Sequence, residues 1–326
     1  MSRRFPAWFL LLGLVTGLAE AVAQPTPGVE VADGLTLKAA AGARDVPYKV
    51  YFPAAGDECP VIVFSHGFGG NKDAFAAVGQ HWAGRGYVVI HPTHADGLGR
   101  ERPGPAGGEG EPPARQLRGG LLQGLNDPAR IADRVADIVL VIDSLAQLPR
   151  AIPALEGRID PKRIGVGGHS FGAYTAMLIG GVTVDLGGER GRSFRDERVL
   201  CILPISGQGT GQQGLTNDSW ARLTIPMMTI TGTRDRGVGG QGVEWKKEPY
   251  RFSPAGAKYL VVIEGANHFS FGGRLGPRSS GVTDAVNGLS THFWDAHLKD
   301  SQASREYLQS ERPARESGGA YVFEHK

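Results

Sequence analysis

Short apolar, strand-like runs recur along the chain at 47–52, 60–65, 87–91, 163–168, 199–204, 226–232 and 258–263. Helical patterns lie between most of them. That alternation predicts a mainly parallel sheet with crossover helices. The clearest helix opens at Asn126-Asp127-Pro128, a cap followed by a proline in the first turn. Its apolar residues Ile131, Val135, Ile138, Ile142 and Leu145 keep steps of three and four, so one face should pack on the sheet. Val282, Val286, Leu289, Phe293 and His297 keep the same rhythm near the C-terminus, which makes His297 a helix-flank residue. There is no internal repeat.

Two stretches break the alternation. Residues 92–126 hold fourteen glycines and prolines and eight charges, a composition that predicts a loop without a helix or strand of its own. A loop this long in a compact domain is usually functional or disordered. It leaves the C-terminal end of the 87–91 strand, the edge where open α/β sheets bind ligands, and is expected to rim the cleft. The second stretch, 207–224, contains Gly209-Thr210-Gly211-Gln212-Gln213-Gly214, but no phosphate-binding glycine motif stands where a nucleotide fold needs it. No cofactor is expected.

The first 23 residues read as a signal peptide. Arg3 and Arg4 form a positive n-region, Trp8 to Leu18 an apolar core, and Ala21-Val22-Ala23 a small-residue cleavage site. The apolar stretch is too short for a good membrane span, so the mature protein is expected to be secreted or periplasmic. Residues 24–312 are then one catalytic domain with 92–126 inserted, and 313–326 a C-terminal tail. The formal net charge is +2, and removing Arg3, Arg4 and Glu20 leaves +1. With no basic run, nucleic acid and anionic membranes are not expected partners. Cys59 and Cys201 begin two separate strand-like runs and are expected as buried free thiols.

The chemistry concentrates at strand ends. Gly168-His169-Ser170-Phe171-Gly172 places Ser170 in a Gly-x-Ser-x-Gly frame between an apolar run and a helix-like segment. That is the strand, sharp turn and helix a nucleophile elbow requires. A nucleophilic serine needs a base, and the base an orienting acid. Asp235 follows the run at 226–232, and His268 follows the run at 258–263. Glu264 is the acid most easily confused with Asp235. Backbone N–H groups of Phe68, in the turn His66-Gly67-Phe68-Gly69-Gly70, and of Phe171, after the nucleophile, are the expected oxyanion donors. His66 is expected to prop its turn, since His268 already fills the base position. His91, His94 and Asp96 are too loosely spaced for a closed metal site and show no fourth ligand, so no metal is expected.

These motifs, with Gly232-Thr233-Arg234-Asp235 and Gly265-Ala266-Asn267-His268-Phe269, resemble the α/β-hydrolase superfamily, which shares the chain order Ser…Asp…His. Within it the chain is similar to the dienelactone-hydrolase-like branch, near bacterial platelet-activating-factor acetylhydrolase-like esterases and, less closely, secreted polyester hydrolases. Ile159-Asp160-Pro161-Lys162-Arg163-Ile164-Gly165-Val166 and Phe293-Trp294-Asp295-Ala296-His297-Leu298-Lys299 carry the same likeness, which covers roughly residues 45 to 310. Dienelactone hydrolases proper use a cysteine where Ser170 stands, which favours ordinary ester hydrolysis. The resemblance implies a single-domain α/β-hydrolase fold and a serine carboxylester hydrolase whose substrate is a small-molecule or lipid ester. Phospholipid and polyester hydrolysis are its narrower forms. A serine peptidase or acyltransferase is the rival of the same chemistry, and a non-catalytic ligand-binding protein the rival of another class.

Overall fold

The structure, a computed structural model of the chain, describes residues 28–39, 44–97, 113–272 and 280–326, with the side chains of 113–118 and 280 left aside. The expected signal peptide and residues 98–112 of the insertion lie outside the described residues. The strands are β1 (Val29–Leu37), β2 (Val46–Pro53), β3 (Cys59–Ser65), β4 (Val88–Pro92), β5 (Ile159–His169), β6 (Val184–Leu186), β7 (Glu189–Arg192), β8 (Val199–Ile205), β9 (Met227–Gly232), β10 (Lys258–Ile263) and β11 (Tyr321–His325). The helices are α1 (Ala76–Ala83), α2 (Pro113–Leu125), α3 (Pro128–Asp143), α4 (Leu148–Ala151), α5 (Phe171–Gly180), α6 (Val243–Lys246), α7 (Glu248–Phe252), α8 (Ser280–Leu298), α9 (Gln302–Leu308) and α10 (Arg312–Glu316).

Nine of these strands form one sheet in the order β1-β2-β4-β3-β5-β8-β9-β10-β11. The six from β4 to β10 are parallel, while β1, β2 and β11 run antiparallel to their neighbours. This is the α/β-hydrolase fold, in a single domain. All seven expected strands are present. β3 shows why they were visible: Val61 and Val63 belong to one hydrophobic cluster, Ile62 and Phe64 to the other, and all four are buried. A strand covered on both faces is apolar throughout. The cluster on one side gathers α3 and α5, and that on the other α1 and α8. The second is tied by Trp82, whose indole N–H donates to Ser290 at 2.8 Å and whose ring meets Trp294 edge-on.

α3 starts where its cap predicts. The Asp127 carboxylate accepts the N–H of Ala129 at 3.0 Å, and Ile131, Val135, Ile138 and Ile142 are buried. Cys59 and Cys201 are buried free thiols on β3 and β8, with β5 between them.

Two expectations are corrected. The insertion carries a helix, α2, after a proline start. Its glycines argued against this on propensity, but at least one has a packing reason. A Cβ on Gly124 would stand 2.8 Å from the ring of Phe68, so glycine lets that ring lie against the helix. Residues 313–326 are not a tail. They hold most of α10 and the whole of β11, which pairs with β10 from Tyr259–His325 to Ile263–Tyr321 and closes that edge of the sheet. Edge strands need few apolar residues, and only Phe323 of β11 is buried.

Candidate active site

The parallel strands all end on one edge of the sheet, and the candidate residues follow those ends. β5 stops at His169 and α5 begins at Phe171, leaving Ser170 alone to turn the chain. It does so with φ 56° and ψ −116°, in the left-handed half of conformational space that costs a non-glycine residue on the order of 1–3 kcal/mol. The surroundings impose that turn. Ser170 donates its N–H to Ile205 at the end of β8, at 2.9 Å. The flanking glycines admit the approach of neighbouring backbone. A Cβ on Gly172 would lie 1.9 Å from the carbonyl oxygen of Ser65, and one on Gly168 would lie 2.3 Å from that of Gly172.

His268 follows β10, with Nε2 3.0 Å from Ser170 Oγ and Nδ1 3.2 Å from Asp235 Oδ1. Asp235 follows β9 and is fully buried. Its second oxygen accepts the Thr231 hydroxyl at 2.9 Å. Burial pushes the Asp235 carboxyl up, but the hydrogen bond from His268 and the nearby Lys246 ammonium outweigh it and hold the group below its ordinary value. Behind the imidazole, His169 donates Nε2–H to the His268 carbonyl at 2.9 Å. Burial, aided by His268, draws the His169 imidazole down to about 3, so it stays neutral. Glu264, the rival acid, is exposed, and among the described residues no bond links it to His268.

The turn after β3 faces the elbow. Among the described residues, the N–H groups of Phe68 and Phe171 have no main-chain or side-chain acceptor. The Phe171 N–H is in the first turn of a helix, where such groups are free to bind an anion. The turn is held from below by a buried ion pair. Arg134 on α3 bonds Asp96 twice, at 2.9 and 2.8 Å, and donates to the carbonyls of His66 at 2.8 Å and Gly67 at 3.3 Å. Asp96 accepts the N–H of Gly69 at 2.8 Å. Main-chain groups on both sides of Phe68 are thus anchored. The same guanidinium lies 4.5 Å over the ring of Phe171. Burial works against the charge on Asp96, but Arg134 outweighs it and keeps the carboxylate ionised.

His66 props this turn as expected, with Nδ1 2.6 Å from the Gly67 carbonyl and Nε2 accepting the His94 N–H at 3.0 Å. Asp96 belongs to the ion pair and His94 to a separate pair of bonds, with Asp137 and Ser65, each at 2.8 Å. His91 bonds the Ala74 carbonyl at 3.1 Å and packs against Tyr51 and Phe64. Each of the three residues weighed as metal ligands is therefore engaged by protein. Arg134, Ser206 and Lys246 were not singled out by the sequence. Ser206, directly after β8, puts Oγ 2.8 Å from His268 Nδ1, and the Lys246 amine is 3.1 Å from that same oxygen. For Arg134 a signal existed: it falls three residues after Ile131 and four before Ile138, on the apolar stripe of α3.

A cleft of about 320 Å³ opens over Ser170 and His268, walled mainly by Phe68, Phe75, Leu121, Leu125, Val238 and Phe269. Leu121 and Leu125 come from α2, so the insertion does rim the cleft, as a helix. Phe269 is 70% exposed beside His268 and meets its ring edge-on. Among the described residues, no helix is long and apolar enough to cross a membrane.

Comparison with known proteins points the same way. A family model described as platelet-activating factor acetylhydrolase, isoform II, matches residues 7–98. The platelet-activating factor acetylhydrolase of Cavia porcellus is 25% identical over an alignment of 255 residues that covers 73% of this chain and 54% of that protein. That of Canis lupus familiaris is 26% identical over an alignment of 235 residues that covers 66% of this chain and 48% of its own length. The chain spans about half the length of the curated relatives it matches.

Proposed function

We propose that this α/β-hydrolase-fold relative of the platelet-activating factor acetylhydrolases is a serine hydrolase of carboxylic esters. One observation carries the reading: a strained serine at a strand-to-helix turn lies 3.0 Å from an imidazole that is itself bonded to a buried, ionised aspartate. In this reading Ser170 attacks the ester carbonyl while His268 Nε2 takes its proton, then returns it to the leaving alcohol. Asp235 holds the imidazole and stabilises its protonated form. The N–H groups of Phe68 and Phe171 receive the oxyanion, an interaction worth about 3 kcal/mol for a donor of this kind. Water then releases the acyl-enzyme by the same steps in reverse order.

The narrower candidate is a phospholipid ester of the platelet-activating-factor type. The names of the relatives and the apolar walls of the cleft support it over a polyester. The basic n-region, apolar core and small-residue site of residues 1–23 support an exported protein.

The test is covalent labelling with a fluorophosphonate, read by mass spectrometry, on the wild type and Ser170→Ala. Label on Ser170, lost in the variant together with several orders of magnitude of ester turnover, is the expected result. Undiminished turnover by Ser170→Ala would refute the assignment. A substrate panel of p-nitrophenyl esters, a short-acyl phospholipid and a polyester film ranks the narrower candidates. A wild type that takes no label and turns over none of them would favour the non-catalytic ligand-binding alternative.

A further inference from the structure

Beyond the Ser170, His268 and Asp235 constellation lies a second tier at the ends of β8 and α6. The main chain at Ser206 has φ 54°, a left-handed conformation that serine adopts rarely. The turn points its hydroxyl at the imidazole, with Oγ 2.8 Å from His268 Nδ1, closer than Asp235 Oδ1 at 3.2 Å. Lys246, from α6, is almost wholly buried and reaches the same place. Its amine donates to the Ser206 carbonyl at 2.9 Å and to Ser206 Oγ at 3.1 Å, with Asp235 Oδ1 3.9 Å away. Two oxygen acceptors and a nearby carboxylate keep that amine protonated, although burial pulls its pKa below the ordinary lysine value.

Counting protons fixes the directions of these bonds. An ammonium has only donors, so Ser206 Oγ accepts from Lys246. An ionised carboxylate only accepts, so the bond between Asp235 Oδ1 and His268 Nδ1 at 3.2 Å takes its proton from Nδ1. The same N–H faces Ser206 Oγ at 2.8 Å, and that oxygen, which also accepts from Lys246, is its second acceptor. Nε2 is left bare, facing Ser170, which is the tautomer a general base requires.

We propose that Ser206 and Lys246 are positioning residues for His268, the hydroxyl fixing the proton on Nδ1 and the ammonium fixing the hydroxyl. This rests on the hydrolase reading. The charged and titratable groups that face the imidazole are His169 at the end of β5, Asp235 after β9 and, through Ser206, Lys246 from α6.

The test uses Ser206→Gly, Ser206→Ala and Lys246→Met in the full chain. Glycine is at ease at this φ, so Ser206→Gly removes the hydroxyl without strain and guards against loss of fold. Each variant should lower kcat about 10- to 100-fold, with KM within threefold, as expected for groups that act on the base. In Lys246→Met the acid limb of the pH–rate profile should move to higher pH, because a cation opposing protonation of the imidazole is gone. A second readout needs no turnover. The low-field proton resonance of the His268 Nδ1–H, assigned by its loss in His268→Ala, should be present in the wild type and in Ser170→Ala. It should shift or broaden in the Ser206 and Lys246 variants.

An unchanged resonance with kcat within twofold of wild type would overturn the proposal. A wild type that shows the resonance but neither labels nor hydrolyses esters would refute the hydrolase reading. The variants' effect on the resonance would still decide whether Ser206 and Lys246 hold the proton.

Discussion

Replacing Arg134 should separate stability from activity in a way that tests the anchoring of the Phe68 turn. Arg134→Met keeps the aliphatic stem in the core and removes the guanidinium. Asp96 then remains almost fully buried with the Gly69 N–H as its described hydrogen-bond donor. Removing one partner of a buried ion pair costs about 3–5 kcal/mol, and the orphaned carbonyls of His66 and Gly67 fall within that loss. At roughly 2 °C per kcal/mol for a chain of this size, Tm should drop by about 6–10 °C. Freed on one side, the turn no longer fixes the Phe68 N–H, and loss of an oxyanion donor typically costs about 10²–10³ in kcat. The double variant Arg134→Met/Asp96→Leu removes both charges and leaves apolar side chains in their place. It should regain about 2 kcal/mol over Arg134→Met. Its kcat should stay low, because His66, Gly67 and Gly69 are all unanchored. Thermal unfolding, guanidinium denaturation and p-nitrophenyl acetate turnover on these three proteins, wild type included, measure stability and activity. A double variant no more stable than Arg134→Met would refute the buried-pair argument. Recovery of kcat along with stability would show that the ion pair does not control the turn.

Three further outcomes are expected. Asp235→Asn should cut kcat by several orders of magnitude while Glu264→Gln stays within about threefold, since only Asp235 reaches His268; the reverse ranking in steady-state kinetics would reassign the acid. Leu121→Trp should shrink the cleft wall given by α2, raising KM for long-chain p-nitrophenyl esters while acetate turnover changes less than about tenfold, roughly 1.4 kcal/mol in the barrier; equal losses on both would place Leu121 in the catalytic machinery itself. Stability should fall as pH drops from about 7 to 5. Burial draws His91 and His297 down to about 4 and His169 to about 3, below the unfolded value near 6.5, so in that window the unfolded chain binds more protons. Asp137 opposes them: burial, against Arg44 and Arg134, pushes it up to about 7, so the folded state holds its proton where the unfolded chain does not. Asp137→Asn should therefore steepen the acid loss of Tm, and a Tm flat from pH 7 to 5 would contradict the burial argument.

What the sequence revealed, and what it hid, follows from how each element is covered. β3, β8 and β9 lie inside the sheet with helices on both faces, so their sequences are largely apolar runs. β1 is an edge strand of mixed exposure interrupted by Asp33-Gly34, and the β6–β7 hairpin turns through Gly187-Gly188. Neither needs an apolar run, because a partner strand supplies half of what holds it. The same logic divides the site. Ser170, Asp235 and His268 stand directly after strand-like runs, where position and residue type coincide. Lys246 is a buried cation inside a charged stretch, and only the burial given by the fold distinguishes it from a solvent-facing residue, whereas Arg134 is marked by its place on the apolar stripe of α3. Ser206 had the same positional signal as Asp235, a polar residue just past a strand.

The site's chemistry and its substrate walls are built from different material. The proposed reacting groups sit on strand ends that the whole sheet over-determines, backed by buried pairs such as Arg134–Asp96. The cleft wall opposite comes from α2, a helix with glycines at 119, 120 and 124. Each such glycine costs about 1 kcal/mol relative to alanine in a helix interior. Tertiary contacts compensate at its C-terminal end, where Gln213 bonds the Leu125 carbonyl and the Asn126 side chain. Arg130, from the next helix, lies over the Phe68 ring that packs against Gly124. The helix is therefore held by its docking rather than by its own propensity. Substitutions on its cleft side, at Leu121 and Leu125, can reshape what enters without touching Ser170, His268 or Asp235. Substitutions at Gly124 would push Phe68, and through it the N–H proposed as an oxyanion donor. Under the proposed mechanism, selectivity and rate therefore meet where the ring of Phe68 lies against Gly124.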